Sequence, residues 1–200
     1  MSFTTLLAIV KSIVEVASVP ITVDMEGGYS RDQATVLKHM MQLAAIGVVG
    51  VNLEDSIVDA THQRTMVDAA SFSETIQQIR QGLNSQDIDI FINVRTDAFI
   101  MGLDQPLVTS LKRAACYEEA GADGIFVPCV TKESDIQQLV NSMTIPLNIM
   151  AMPQLPSFSA ISGLGVRRLS SGPFVYQKVK QELGKYLNGI NRDQSFGILF

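Results

Sequence analysis

The 200-residue chain has the composition of one globular domain, with 46% hydrophobic residues, 18% charged residues and a formal net charge of −5. This mild acidity, without any Lys/Arg run, argues against a general binder of nucleic acid or of membranes. The two cysteines, Cys116 and Cys129, have neither metal-ligand spacing nor a disulfide framework. We therefore expect a cytoplasmic protein.

The first twenty residues predict an amphipathic helix rather than a signal peptide or a membrane span. Apolar residues recur at helical spacing from Phe3 to about Ala17, and Lys11 and Glu15 interrupt the apolar surface. Pro20 ends this helix and leads into a short apolar strand.

Strands and helices then alternate. Sequence patterns predict strands at 21–26, 50–55, 88–97, 124–128, 146–151 and 166–171. Further helices are predicted at 31–46, 72–82, 107–120, 132–142, 156–162 and 174–188. Ser30 and Ser71 are the predicted N-caps of helices 31–46 and 72–82. Gly47 is the glycine predicted to end helix 31–46. Residues 56–70 are predicted to be a long loop.

This alternation predicts a parallel sheet with right-handed crossovers. Segments 45–51 and 120–125 both run from a helix end through small residues into a strand. That recurrence is common in (β/α)₈ barrels, and it also suits an open doubly wound sheet. A closed barrel needs eight strands, whereas six are recognisable here.

Three consecutive strands end in polar residues of matching parity. They are Asp24 and Glu26, then Asn52 and Glu54, then Asn93, Arg95 and Asp97. Residues two apart in a strand share a face, so in a barrel these side chains would meet at one mouth. Carboxylates there can hold Mg²⁺ directly or through water, and Arg95 can bind a carboxylate or phosphonate. The pattern predicts a metal-dependent site for a small anionic oxo acid.

The two histidines are weaker candidates. His62 lies in segment 56–70, where it is expected to be solvated, the alternative being an acid or base on an active-site lid. His39 is predicted to lie on a helix surface.

Six motifs occur in an order and at a spacing typical of one family. They are VDMEGGYS (23–30), GVNLEDS (50–56), INVRTDAF (92–99), RAACYEEAGADGIFVP (113–128), PLNIMA (146–151) and GVRRLSSGP (165–173). Through them the chain resembles the isocitrate lyase/phosphoenolpyruvate mutase superfamily. The resemblance is to its short phosphonomutase-like members, the carboxyvinyl-carboxyphosphonate phosphorylmutase or oxaloacetate decarboxylase type. It covers about residues 18–188.

The resemblance implies a Mg²⁺-dependent (β/α)₈ barrel that makes or breaks a C–C or P–C bond beside a 2-oxo acid or its enolate. It also implies a homo-oligomer that often exchanges the last helix between subunits. The matching residues are Asp24, Glu26 and Glu54 for the metal, Arg95 for the substrate carboxylate, and Asn93 and Asn148 for further substrate contacts. Arg95 and Glu54 are the expected catalytic residues.

The chain departs from the family pattern at two places. The lyase branch has a Lys-Lys-Cys-Gly-His type loop after the second acidic strand, whereas SIVDATHQRTMV here contains neither cysteine nor lysine. Family chains also begin with two further strands, which carry a substrate-anion loop and another aspartate. We therefore expect one α/β domain, residues 1–189, of the (β/α)₈ TIM-barrel type without its first two strands. A C-terminal tail, residues 190–200, would follow.

The expected function is that of a Mg²⁺-dependent enzyme acting on a small 2-oxo or phosphoenol acid. It would decarboxylate the acid or cleave a C–C bond through a metal-bound enolate. The alternative is a catalytically inactive truncated relative, or one half of a split barrel. Neither reading involves a nucleic-acid or membrane partner.

Overall fold

The computed structural model describes all 200 residues as an α/β chain with eight strands and seven α-helices. The strands are β1 (Thr22–Asp24), β2 (Gly50–Glu54), β3 (Ser56–Val58), β4 (Arg64–Met66), β5 (Phe91–Arg95), β6 (Gly124–Val127), β7 (Leu147–Met150) and β8 (Arg168–Ser170). The helices are α1 (Phe3–Val14), α2 (Gln33–Ala45), α3 (Ala69–Ser85), α4 (Pro106–Glu119), α5 (Glu133–Asn141), α6 (Phe158–Gly163) and α7 (Phe174–Asp193). None of them is both long enough and apolar enough to cross a lipid bilayer.

Six strands form one parallel sheet in the order β1-β2-β5-β6-β7-β8, which curls into half of a barrel. Each strand pairs with its neighbours along the chain, apart from the inserted β3–β4 hairpin. The edge strands β1 and β8 pair on one side only, so the sheet stays open. The predicted six-stranded sheet of barrel type is confirmed.

The hydrophobic core lies between the convex face of the sheet and the helices. Val51, Ile92 and Ile149 are fully buried members of the core cluster, together with Met40 of α2 and Ile79 of α3. Since side chains alternate along a strand, the residues between these core positions face the concave side of the sheet.

Two of the predicted helix caps are wrong. Asp32, not Ser30, caps α2, because its carboxylate accepts hydrogen bonds from both the N–H and the hydroxyl of Thr35. Asp68, not Ser71, caps α3, and Ser71 is the residue that donates to it. Serine and aspartate have similar N-cap preferences, so sequence alone could not separate them. The prediction for Gly47 is confirmed, since it follows α2 with φ of 97°.

The predicted long loop 56–70 is also wrong, because it contains the antiparallel β3–β4 hairpin. Asp59 organises its turn by accepting hydrogen bonds from the N–H groups of Thr61 and Gln63. Each strand is three residues long, which is too short for a period of two to stand out in the sequence.

The last helix runs five residues beyond its predicted end, to Asp193. A 3₁₀ turn, Gly197–Leu199, then folds back on it. A β-carbon at Gly189 would collide with the side chain of Ile198, so this glycine permits a close contact rather than ending the helix. An apolar stripe on α7 is exposed at Val175, Val179 and Leu187.

Candidate functional site

The sheet register brings together the polar strand ends of β1, β2 and β5. Asp24 lies beside Asn52, Asn52 beside Asn93, and Glu54 beside Arg95. Asp24, Glu54 and Arg95 border one cavity of about 690 Å³. Its other lining residues include Glu26, Tyr29 and Arg31 after β1, and Ser56 and Arg64 of the hairpin.

The glycine turn after β1 orients the first two acids. Glu26 and Tyr29 have φ of 49° and 59°, values that residues other than glycine seldom adopt and that often mark functional sites. Gly28 has φ of 87° and no room for a β-carbon beside Val36. Asp24 Oδ1 accepts a hydrogen bond from the Glu26 N–H at 3.0 Å. The Asp24 side chain nevertheless remains 51% exposed.

Glu54 and Asp97 form a closed cluster with Arg64 and Arg95. Glu54 is 7% exposed, and each of its oxygens lies 3.1 Å from a guanidinium, Oε1 from Arg64 and Oε2 from Arg95. The fully buried Asp97 accepts from Arg95 Nε at 2.6 Å and also pairs with Arg64. The two acids and two arginines balance in charge, and each charge has a hydrogen-bonded partner.

The cluster's environment shifts two of its pKa values. Burial raises the pKa of Glu54, and the charges of Arg95 and Arg64 only partly offset this. Burial disfavours the charged form of Arg95, but the negative charges of Asp97 and Glu54 outweigh it and hold the Arg95 pKa above its usual value.

Behind the cluster, Asp55 forms a second buried network that sequence analysis missed. Its carboxylate accepts from the Asp97 N–H at 3.0 Å, from Arg113 Nη1 at 3.0 Å and from the Tyr117 hydroxyl at 2.8 Å. Arg113 also donates to the Val67 carbonyl, where the hairpin leads into α3. Asp55 therefore ties β2, β5, the hairpin and α4 together. The sequence signal that could have identified Asp55 is its position directly after Glu54, which places it on the opposite face of the strand.

The predicted substrate-binding residues Asn93 and Asn148 do not line the cavity. Both are buried on the concave face, and Asn93 Nδ2 donates to Asn52 Oδ1 at 2.8 Å. Their side-chain oxygens have no hydrogen-bond partner in the protein. The structure thus brings together Asp24, Glu26, Glu54 and Arg95, and sets the two asparagines apart from them.

The histidines lie outside the cavity. His62 is exposed in the hairpin turn. His39 differs from its predicted surface position, because it is half-buried, stacks on Phe3 with 3.7 Å between ring centroids, and has Nδ1 3.0 Å from the Gly28 carbonyl. It therefore connects α1 and α2 to the glycine turn.

The donor set suits a hydrated hard cation more than one enclosed by protein ligands. No three His, Cys, Asp or Glu side chains are grouped closely enough to hold a metal ion together. Asp24 Oδ2 lies 4.0 Å from Arg95 Nη1, whereas both Glu54 oxygens are ion-paired. Mg²⁺ commonly uses one or two carboxylates and keeps several waters. Asp24 could contact such an ion directly, with Glu26 and Glu54 acting through water.

Comparison with known proteins places these features in context. The family model described as phosphoenolpyruvate phosphomutase matches residues 1–191. An oxaloacetate decarboxylase of Pseudomonas fluorescens (strain SBW25) is 29% identical over 164 residues, which cover 80% of this chain and 55% of that protein. The chain thus spans about half the length of the curated relatives it matches.

Solved structures agree in fold. A crystal structure from Burkholderia cenocepacia J2315, of a protein proposed to be a phosphonomutase, superposes with a TM-score of 0.87 at 30% identity and covers 94% of this chain and 76% of that one. A phosphonopyruvate hydrolase in complex with oxalate and Mg²⁺ superposes with a TM-score of 0.82 at 24% identity, covering 98% and 69%.

Proposed function

Because the chain belongs to the phosphoenolpyruvate phosphomutase family, within the phosphoenolpyruvate mutase/isocitrate lyase superfamily, we propose that it is a Mg²⁺-dependent enzyme that acts on a small 2-oxo or phosphoenol acid. The reaction is decarboxylation or cleavage of a C–C bond beside the 2-oxo group. Support for this choice comes from the oxaloacetate decarboxylase relatives. Segment 56–67 contains neither cysteine nor lysine, so the proposal does not include the lyase branch's cysteine acid.

One observation carries the proposal: an accessible carboxylate lies beside a partly buried guanidinium at the wall of a polar cavity. Asp24 is half exposed, and Arg95 Nη1 lies 4.0 Å from its Oδ2. A cation at Asp24 and an acid group at Arg95 would therefore be neighbours. A phosphonopyruvate hydrolase of the same fold binds Mg²⁺ and oxalate, which is consistent with this pairing.

When bound, Mg²⁺ would supply a Lewis acid that stabilises negative charge on a substrate oxygen. Asp24 would hold the ion, and Glu26 and Glu54 would act on it through water. Arg95 binds the substrate carboxylate through Nη1, which lies 3.1 Å from Glu54 Oε2 but donates no hydrogen bond to it, whereas Nε and Nη2 both donate to Asp97. Glu54 keeps the Arg95 side chain in place through its ion pair.

The apolar stripe on α7 supports a homo-oligomer as the assembly. Val175, Val179, Leu183 and Leu187 are all more than half exposed, and such a surface favours burial against another subunit.

The metal role is tested by thermal unfolding with and without Mg²⁺. We expect Mg²⁺ to raise the melting temperature of the wild type and not of Asp24→Ala. Asp89→Ala is the matched control, since Asp89 is an exposed acid outside the cavity. Equal Mg²⁺ shifts in the wild type and Asp24→Ala would contradict the assignment.

The enzyme is separated from its alternative by turnover. We expect Mg²⁺-dependent decarboxylation of oxaloacetate by the wild type, above the background rate of Mg²⁺ alone, and its loss in Asp24→Ala. The open sheet with two unpaired edges favours the alternative, a non-catalytic relative or one half of a split barrel. A specific Mg²⁺ shift without turnover of 2-oxo acids would support that alternative.

A further inference from the structure

The two arginines of the charge cluster use their donors differently. In Arg95, all three nitrogens contact carboxylate oxygens of Asp97 or Glu54. In Arg64, Nη1 alone makes every contact, to Glu54, Ser56 and Asp97. Arg64 Nε and Nη2 therefore keep unpaired N–H groups on a side chain that is 28% exposed and borders the cavity.

A second unpaired guanidinium borders the same part of the cavity. Arg31 is exposed, lines the cavity and takes part in no hydrogen bond or ion pair. A β-carbon built on Gly27 would lie 3.8 Å from Arg31 Nη1 and 3.7 Å from the Ser56 carbonyl oxygen. Ser56 is also a partner of Arg64. Gly27 therefore lies close both to Arg31 and to Ser56, the residue that Arg64 contacts.

The cavity has accessible groups of both signs. Its exposed acids, Asp24 and Glu26, lie at the end of β1, and its unpaired guanidinium donors belong to Arg31, beyond the glycine turn, and to Arg64 of the hairpin. A ligand with a single acid group, bound at Arg95, would leave the donors of Arg31 and Arg64 unused. A ligand with a second anionic group would satisfy them, and guanidinium groups bind carboxylates in paired hydrogen bonds.

We propose that Arg64, assisted by Arg31, binds the second carboxylate of a dicarboxylic 2-oxo acid and so determines substrate specificity. The inference rests on the proposed function, because it assigns the far end of the same substrate. Arg64 Nη1 stays in the charge cluster, and Nε and Nη2 face the ligand's second acid group.

The test is a comparison of two acids that differ only in that group. 2-Oxoglutarate and 2-oxopentanoate are both five-carbon 2-oxo acids, the first with two carboxylates and the second with one. Neither is a β-keto acid, so neither decarboxylates readily during the titration. Calorimetric titration with excess Mg²⁺ gives both dissociation constants. We expect the wild type to bind 2-oxoglutarate about tenfold more tightly, the effect of one charged hydrogen-bonded contact.

Substitution of the arginines then locates the preference. Arg64→Gln should weaken 2-oxoglutarate about tenfold and change 2-oxopentanoate by less than about twofold. Arg31→Gln should cause a smaller loss with the same selectivity, and it leaves the charge cluster intact. Arg167→Gln, which removes an exposed arginine outside this cavity, is the matched control and should change neither constant.

The outcomes separate the two proposals. If the wild type binds both acids equally, or if Arg64→Gln weakens both equally while Arg31→Gln has no effect, Arg64 only clamps the hairpin and this inference is overturned. The proposed function would survive that result. If the wild type binds neither acid with Mg²⁺, both proposals fail. Thermal melts of each variant confirm that it is folded, and Arg64→Lys, which keeps the charge, should retain part of the preference.

Discussion

Asp24 and Glu54 occupy equivalent places, at the ends of adjacent parallel strands and on the same face, yet their environments differ. Asp24 is 51% exposed and makes one hydrogen bond, to its own turn. Glu54 is 7% exposed and has an arginine on each oxygen. Asp24 lies on an edge strand, whereas Glu54 lies between β1 and β5 and beneath the hairpin. One carboxylate is therefore available to a ligand, and the other holds the site together.

The largest effect should come from opening the paired cluster at Asp97. Asp97→Ala leaves two arginines sharing the single carboxylate of Glu54, and removing one partner of a buried ion pair costs about 3–5 kcal/mol. Urea denaturation measures the free energy of unfolding, with Asp104→Ala as an exposed control. A loss below about 1 kcal/mol, typical of surface pairs, would show that the cluster is solvated.

A smaller effect should follow from the raised pKa of Glu54. A carboxyl group with a higher pKa in the folded than in the unfolded protein adds stability below the unfolded pKa, about 4.3. That contribution is lost as pH rises through the folded pKa. The wild type should therefore gain stability relative to Glu54→Gln as the pH falls from neutral towards 4.

Asp59→Asn should show the opposite change in relative stability when the same pH series is measured. The Thr61 hydroxyl and the N–H of Gln63 lower the pKa of Asp59 in the folded protein. The wild type should lose stability relative to this variant as pH falls through the acid range. Parallel pH profiles for the Glu54 and Asp59 variants would contradict the assigned environment of Glu54.

The smallest effect is expected at the open carboxylate. Without Mg²⁺, Asp24→Ala should change the free energy of unfolding by no more than about 0.5 kcal/mol, as for most exposed positions. The same urea denaturation measures it. A loss as large as that of Asp97→Ala would mean that Asp24 belongs to the paired cluster, and the contrast between the two acids would disappear.

Much of the fold was predictable, because regular patterns reflect local geometry. The alternation of apolar strands and amphipathic helices predicted the parallel sheet, and all six sheet strands were located. The hairpin was missed since its strands are three residues long, and the caps at Asp32 and Asp68 were missed since serines nearby suit the same role.

The candidate site was likewise predictable only where it depends on local geometry. The period of two in a strand was sufficient to group Asp24, Glu54 and Arg95 on one face. It could not reveal that Arg64 pairs with Glu54, because that contact depends on the hairpin that the sequence did not predict. Nor could it reveal that Arg113 and Tyr117 pair with Asp55, because they lie 58 and 62 residues away along the chain.

By itself, the sequence determined which polar side chains share the concave face, because alternation along a strand is a property of the local backbone. Only the tertiary structure decided which carboxylates are neutralised and which remain accessible. That outcome depends on which strand lies at the edge of the sheet and where the hairpin folds, and both are set by contacts between distant parts of the chain.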